Sequence, residues 1–322
     1  MRRPLLAAGL SALALTALVT CTAPGATAAP AAPAPSGAAT VAAPQLRAGQ
    51  KTTVTYCNHQ QAKVTEPTKL PGPAPAVVYV HGGSWVSGNY NTGGFLISGI
   101  GPALASKGFV VVAIDYRLGP KAQWPDQIED LKCAIRYLRA NARALNLDPN
   151  EIGAWGQSAG GHLVDLLGTA GPGAGWDVGA YPHESSRVEA VVDMAGPTDL
   201  LTLGNQGASP VVLKSFLSLL PKARPKKIRA ELKEDSPVTH VSPGDPPFML
   251  LHSDNDEIVY PQQSQEFAWD LAANKVPFQF VMVQGGGHEF DQADESPDMS
   301  QITVQVIEFF VEVLAFHQVP TG

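Results

Sequence analysis

The sequence predicts an α/β fold in which a mostly parallel central sheet is covered by helices on both faces. From about residue 76 onward, short and continuously apolar runs alternate with longer segments of helical periodicity. A strand that is apolar along its whole length is buried on both faces, which is typical of parallel sheets between two helical layers. With 322 residues, 44% of them hydrophobic, the chain is long enough for one large core of this kind or for two smaller domains.

The apolar runs predict six buried strands. They are "AVVYVH" (76–81), "FVVVAID" (109–115), "EIGAWG" (151–156), "VEAVVDMAG" (188–196), "PPFMLLHS" (246–253) and "PFQFVMV" (277–283). The helices between and after these strands are predicted over 94–107, 125–145, 159–168, 260–274 and 299–317. Pro125 and the acidic residues that follow it suit the start of a helix. The polar, β-branched segment 46–66 predicts antiparallel edge strands.

Two stretches interrupt this alternation. Residues 169–187 are rich in Gly and Pro, and residues 200–245 contain the basic helical segment "PKARPKKIRAELKED". Both follow strands at the edge where parallel sheets bind ligands. We interpret them as a small cap over that edge, and a solvated excursion is the alternative.

The first 45 residues are expected to lie outside the fold. Two arginines, an apolar stretch and the small residues "ATA" (26–28) are typical of a secretory signal peptide over 1–28. Residues 29–45 are rich in Ala and Pro and predict a disordered linker. These features predict a secreted protein. Lipidation at Cys21 and an uncleaved membrane anchor are the alternatives, and we expect no stable membrane insertion.

Charge and cysteine content exclude several classes of protein. A net charge of −7 argues against a nucleic-acid partner, because such proteins need a basic face. Two cysteines, Cys57 and Cys133, remain after the predicted cleavage. Export permits a disulfide between them, whereas the apolar helix face around Cys133 equally suits a buried thiol. No cysteine spacing matches a metal site.

The pentapeptide Gly156-Gln157-Ser158-Ala159-Gly160 is the main candidate for chemistry. It follows a predicted strand and opens a predicted helix, as a nucleophile elbow requires. A Cβ at either glycine is expected to clash with the neighbouring strand and helix. We therefore predict Ser158 as a nucleophile, and an ordinary serine N-cap is the alternative.

A second motif, "HGGSW" (81–85), follows the first buried strand. Acyl transfer generates an oxyanion that must meet N–H donors already in place. We predict the N–H groups of Gly83, Ser84 and Ala159 as these donors. His81 is interpreted as a residue that orients the loop backbone.

The best candidate for a general base is His288, in the loop "QGGGHEF" after the last predicted strand. That loop is positioned to reach the elbow across the top of the sheet. The other histidines lie before the core, in the elbow helix, in the excursions, at a strand end or near the terminus. The earlier loop "HSDNDEIVY" (252–260) supplies Asp254, Asp256 and Glu257 as candidates for the carboxylate that orients the base.

Five motifs together resemble the carboxylesterases of the α/β-hydrolase fold. They are "HGGSW", "VVVAIDYRL", "GQSAGGHL", "LLHSDNDEIV" and "GGGHEF", in this order over about 76–317. The chain is similar to hormone-sensitive-lipase-like esterases and to small secreted feruloyl- or acetyl-esterase-like enzymes. Ser84 departs from the family pattern, in which many members have a third glycine.

The resemblance implies an α/β-hydrolase catalytic domain over 46–322 with the chain order serine, acid, histidine. It selects Asp256 as the acid, and Asp254 is the alternative acid. The other interpretation of Asp254 is a turn-forming role. It implies a serine esterase that acts on small-molecule or polymer-borne esters without metal or cofactor. Trp85, Gln157 and Phe290 are predicted to line the substrate pocket.

Two other hypotheses compete with the esterase. One is an amide-cleaving relative, an arylformamidase or a peptidase, because "HGGSW" resembles the formamidase loop. The other is a non-catalytic binding member of the fold. The presence of serine, histidine and acid together argues against the latter.

Overall fold

The computed structural model describes residues 46–69, 72–94, 96–204, 210–220 and 225–315. The predicted signal peptide (1–28), the linker (29–45) and Cys21 lie outside these residues. In the described part of the chain, no helix combines the length and the apolar character that crossing a membrane requires.

Eight strands form one sheet within the described residues, in the order β1-β2-β4-β3-β5-β6-β7-β8. The strands are Lys51–Thr55 (β1), Gln61–Thr65 (β2), Ala74–Val80 (β3), Val110–Ile114 (β4), Leu147–Gln157 (β5), Ala190–Met194 (β6), Phe248–Ser253 (β7) and Phe278–Val283 (β8). β1 and β2 are antiparallel, β2 is antiparallel to β4, and every later pairing is parallel. The predictions of six parallel strands and of an antiparallel edge are therefore confirmed. The predicted burial is wrong for β8, where Phe278 and Gln279 are exposed because β8 is the last strand of the sheet.

Helices cover both faces of this sheet. They are Gly101–Ser106 (α1), Asp126–Ala140 (α2), Ala159–Thr169 (α3), Pro210–Leu219 (α4), Pro225–Glu234 (α5), Gln262–Ala273 (α6) and Met299–Phe310 (α7). The apolar residues of α2, α3 and α6 pack on one face, and those of α1 and α7 pack on the other. Successive side chains of β3 point to opposite faces of the sheet. Val78 therefore packs in the first layer, and Val77 and Tyr79 pack in the second.

Three predicted helices differ from the structure in extent. The helix predicted over 299–317 consists of α7 followed by a π-helical turn, Val311–Ala315, and its last two residues lie outside the described part of the chain. The helix predicted over 94–107 consists of a π-helical turn, Leu96–Ile100, followed by α1. The helix predicted over 125–145 ends at Ala140. The next residue, Asn141, donates its side-chain amide to the backbone oxygen of Tyr137 at 2.9 Å. This side-chain contact favours the end of the helix at this point. The apolar periodicity of the sequence does not indicate where the helix ends.

The two predicted cap segments differ in their content of regular structure. In 169–187 the structure has one short 3₁₀ helix, Pro172–Ala174, and α4 and α5 belong to 200–245. Residues 225–234 of the basic segment form α5. Phe216 of α4 packs edge-on against Trp85, with ring centroids 5.0 Å apart. The cap interpretation itself stays a prediction.

Cys57 and Cys133 form a disulfide that joins the segment between β1 and β2 to α2. This resolves the alternative that the sequence leaves open. The bond closes a loop with a sequence separation of 76 residues, and cross-links over long loops restrict the unfolded chain strongly.

Removal of this disulfide is expected to lower the free energy of unfolding by about 2–5 kcal/mol. The double variant Cys57→Ala/Cys133→Ala tests this by urea denaturation beside the oxidised wild type. Equal unfolding midpoints for the two proteins would contradict the prediction.

Two fully buried carboxyl groups, Asp165 of α3 and Asp193 of β6, lie close together between the elbow helix and the sheet. The N–H of Gly196 donates to one oxygen of Asp193 at 2.8 Å. Among the described residues, the other Asp193 oxygen and both Asp165 oxygens have no hydrogen-bond partner. Burial raises the pKa of Asp193 to about 7, and burial together with the negative charge of Asp193 raises the pKa of Asp165 well above its usual range.

Because both folded-state pKa values are raised, the folded protein keeps protons that the unfolded chain has already lost. The stability from this pair is complete below the unfolded pKa of about 4. The part from Asp193 is lost as the pH rises through about 7, and the part from Asp165 is lost as the pH rises through its own raised pKa. Asp165→Asn is therefore expected to raise the melting temperature at pH 8 and to weaken its dependence on pH. Thermal unfolding between about pH 5 and about pH 8 measures this, with the exposed Asp294→Asn as control. If the melting temperature of Asp165→Asn depended on pH as strongly as that of the wild type, the prediction would be contradicted.

Candidate active site

Ser158 occupies a sharp turn between the end of β5 and the start of α3. Its backbone has φ 57° and ψ −122°, a conformation that residues with a side chain rarely adopt. The turn is held on both sides, because the N–H of Ser158 donates to Met194 at 2.9 Å and the N–H of His162 donates to the Ser158 carbonyl at 3.1 Å. This strand–turn–helix geometry is that of a nucleophile elbow.

The flanking glycines of the elbow are required by space. A Cβ at Gly156 would lie 2.4 Å from the backbone oxygen of Gly160. A Cβ at Gly160 would lie 2.1 Å from the backbone oxygen of Val80. Both contacts are with backbone atoms, which cannot move aside as a side chain does. The predicted clash at both glycines is confirmed.

Gly160→Ala is accordingly expected to cost about 1–3 kcal/mol of stability or more, because a methyl group is forced into a filled space. Gly171→Ala is the matched control, since a Cβ there meets nothing within 4 Å and the backbone has no positive φ. Thermal unfolding measures both variants, and equal melting temperatures would contradict the expectation.

His288 and Asp256 are brought together by the loops that follow β8 and β7. The Nδ1 atom of His288 lies 2.7 Å from Oδ2 of Asp256. The second carboxylate oxygen, Oδ1, accepts the N–H groups of Ile258 and Val259 at 2.8 and 2.9 Å. Because the carboxylate accepts only, Nδ1 carries a proton and leaves Nε2 of His288 as the basic nitrogen.

His252 is a second partner of Asp256. Its position at the end of a predicted strand did not indicate this contact. Its Nε2 lies 2.7 Å from the backbone oxygen of Val259 and 3.3 Å from Oδ2 of Asp256. Burial alone would raise the pKa of Asp256, but hydrogen bonds and positive charge from His252 and His288 hold it well below its usual range. The signal in the sequence is the spacing of four residues between His252 and Asp256.

Asp254 does not contact His288. It is exposed, and its Oδ1 accepts the N–H of Gly285 at 2.8 Å, which connects the loop after β7 to the loop after β8. The structure therefore gives Asp254 the turn-forming role and places Asp256 beside the imidazole.

Gln157 connects the elbow to the histidine loop. Its side-chain amide donates to the backbone oxygen of His288 at 3.0 Å. β5, β7 and β8 are parallel members of one sheet, so their carboxyl ends lie at the same edge. Ser158, Asp256 and His288 consequently share that edge.

The loop 81–88 lies beside the elbow. A Cβ at Gly82 would approach Cβ of Ser158 to 3.3 Å, so the loop backbone passes close to the serine. Within the described residues, the N–H groups of Gly83 and Ser84 donate to no other group. Ala159 is the first residue of α3, where N–H groups have no acceptor within the helix. These three N–H groups are thus free to donate to another group, and their role as oxyanion donors stays a prediction.

His81 orients this loop, as its sequence position predicts. Nδ1 of His81 lies 2.7 Å from the backbone oxygen of Gly82, and the ring stacks on Tyr116 with centroids 4.3 Å apart. Burial lowers the pKa of His81 to about 4, so the imidazole is neutral near pH 7. It therefore serves the loop as an uncharged donor.

The sequence of this chain matches a known protein family. The model of the BD-FAE family matches residues 63–271. The chain belongs to the BD-FAE family. This confirms the resemblance to α/β-hydrolase carboxylesterases.

Two named relatives of this BD-FAE chain come from Mycobacterium tuberculosis. The probable carboxylic ester hydrolase LipM is 32% identical over 248 residues, which cover 76% of this chain and 56% of the relative. Esterase LipC is 32% identical over 230 residues, which cover 71% and 55%. The chain thus spans little more than half the length of these two relatives.

A solved structure extends the comparison to the fold. A truncated form of a carbohydrate esterase from gut microbiota shares 28% identity, with a TM-score of 0.69, over 85% of this chain and 99% of that chain. The predicted α/β-hydrolase fold is confirmed.

Two predicted pocket residues of the BD-FAE chain need correction. The side chain of Trp85 is fully buried against Phe216 and His162, so it does not line an open pocket. Phe290 is 1% exposed and belongs to the core layer that contains α7. Gln157 is about as buried as Ser158 and is engaged by the His288 loop, and its pocket role stays a prediction.

Proposed function

We propose that this chain is a secreted serine esterase that hydrolyses carboxylic esters through an acyl-enzyme. Ser158 is the nucleophile, His288 the general base and Asp256 the carboxylate that orients the base. The hydrogen bond between His288 and Asp256 at the sheet edge that carries Ser158 is the observation on which this proposal depends.

In the first half-reaction, Oγ of Ser158 attacks the ester carbonyl carbon while Nε2 of His288 takes its proton. The carbonyl oxygen becomes an oxyanion and accepts hydrogen bonds from the N–H groups of Gly83, Ser84 and Ala159. The carbon–oxygen bond to the alcohol then breaks, and the alcohol leaves with the proton from His288. Water attacks the acyl-enzyme with the same base, which releases the acid and restores Ser158.

Asp256 contributes by keeping the base in its productive form. Its lowered pKa means that it is ionised at neutral pH, so it stabilises the imidazolium that forms at His288. The same contact fixes the proton on Nδ1. Nε2 is therefore always available to Ser158.

Substrate and location are part of the proposal. The names of the relatives, which include an ester hydrolase and a carbohydrate esterase, support a small-molecule or polymer-borne ester as substrate. The signal-peptide pattern of 1–28 supports export, and the Cys57–Cys133 disulfide is compatible with an oxidising compartment.

Activity is tested with p-nitrophenyl esters of rising acyl length, methyl ferulate, acetylated xylan and a formylated aromatic amine. We expect turnover of at least one ester class well above the uncatalysed rate. Turnover of the formylated amine alone would replace the esterase by an amide-cleaving relative, and no turnover of any substrate would overturn both.

Export is tested separately by expression of the full chain in a secreting bacterial host. We expect the mature protein in the medium to begin near residue 29. Retention of the intact leader on a cell-associated protein would contradict secretion.

A further inference from the structure

A buried polar chain joins the loop 81–88 to the elbow helix and to the end of α5. The indole Nε1 of Trp85 donates to Nδ1 of His162 at 3.3 Å. Nε2 of His162 lies 2.8 Å from the backbone oxygen of Asp235, whose carboxylate accepts the indole N–H of Trp124 at 2.6 Å. All four side chains are buried.

The contacts of His162 decide its tautomer. The carbonyl of Asp235 only accepts, so Nε2 must carry the proton. Nδ1 then has a free lone pair and accepts the Trp85 indole. Burial lowers the pKa of His162 to about 4, which keeps the ring neutral and Nδ1 an acceptor at neutral pH.

The loop needs such an anchor because its backbone is strained. Ser84 and Trp85 both have positive φ, 52° and 60°, although neither is glycine. Conformations of this kind persist only where the surrounding structure imposes them. The indole supplies that constraint, since it packs edge-on against Phe216 and His162 with centroids 5.0 and 5.2 Å away.

We propose that His162 is a positioning residue. Its Nδ1 fixes the indole of Trp85 and thereby holds the N–H groups of Gly83 and Ser84 where the oxyanion forms. This inference rests on the proposed esterase function. It adds a link between the segment 200–245 and the oxyanion donors, because Asp235 fixes the imidazole from the other side.

Two amide variants of His162 separate its two contacts. In His162→Asn the side-chain oxygen replaces Nδ1 and keeps an acceptor for Trp85. In His162→Gln the amide nitrogen replaces Nε2, so the donor to Asp235 is kept and the acceptor for Trp85 is lost. Both substitutions remove a buried ring, so their general structural cost is matched.

We expect His162→Gln to lower kcat about 100-fold with little change in KM, because misplaced donors weaken only the transition state. His162→Asn is expected to keep a kcat at least about tenfold higher than His162→Gln. Affinity for a trifluoromethyl ketone, which mimics the oxyanion, should fall by the same factor as kcat. These ratios are measured at a temperature at which both variants are folded.

Trp85→Phe provides an independent variant that keeps an aromatic ring and removes the indole N–H together with its five-membered ring. We expect a loss in kcat like that of His162→Gln, and no further loss when the two are combined. Equal kcat values for the Asn and Gln variants, or fully additive losses in the double variant, would overturn the inference while the esterase proposal stands. Absence of ester hydrolysis in the unmodified chain would overturn both.

Discussion

Ser158→Ala is expected to lower kcat for ester hydrolysis by about 10⁶-fold, because the attacking oxygen is removed while the donors and the base remain. The residual rate should still exceed the uncatalysed rate by about 10³–10⁴-fold through the oxyanion donors and substrate binding. Hydrolysis of a p-nitrophenyl ester measures the loss. The melting temperature should stay close to that of the wild type. Serine and alanine both carry a Cβ, so the positive φ of this turn strains them equally.

The matched control is Ser218→Ala on the exposed face of α4. Its hydroxyl bonds only within its own helix, to the backbone oxygen of Ser215, among the described residues. It should leave kcat unchanged. Wild-type turnover in Ser158→Ala would place the nucleophile elsewhere.

Asp256→Asn is expected to lower kcat by about 10⁴-fold without unfolding the protein. An amide at this position can donate to Nδ1 of His288, which selects the tautomer that has its proton on Nε2. The imidazole then cannot accept the proton of Ser158. Steady-state kinetics at neutral pH measure the effect.

Asp254→Asn is the control, two residues away in the same loop. Its only side-chain partner within the described residues is the N–H of Gly285, which an amide oxygen still accepts. We expect kcat within a few-fold of wild type. A larger loss in Asp254→Asn than in Asp256→Asn would exchange the roles of the two carboxylates.

The sheet and the elbow could be predicted because their causes are local. Uninterrupted apolar runs such as "VVVAI" have one stable environment, between two helical layers. Gly156 and Gly160 reveal the elbow since close approach of backbone leaves no room for a Cβ. His288 could be predicted as a candidate from its position after the last strand.

The remaining features depend on contacts between residues far apart in the chain. The pairing of Cys57 with Cys133 required the segment after β1 to reach α2. The burial of Trp85 depends on Phe216, which is over 100 positions later in the sequence. The position of Trp85 beside a glycine loop predicted a pocket role, because an indole there suits a substrate-binding surface as well as a core.

The choice between Asp254 and Asp256 is a third case. Both suit a loop of this composition, and local spacing does not say which one faces the base. The orientation of the Asp256 carboxylate is fixed because its Oδ1 accepts two N–H groups of its own turn. This leaves Oδ2 for His288.

Covalent labelling tests the convergence of Ser158, His288 and Asp256 most directly. The purified chain is treated with a fluorophosphonate, digested and analysed by tandem mass spectrometry to locate the adduct. We predict one adduct, on Ser158, that forms far more slowly in Asp256→Asn than in Asp254→Asn. An adduct on a different serine, or hydrolysis of esters by a chain that takes no label, would contradict the assignment of this site.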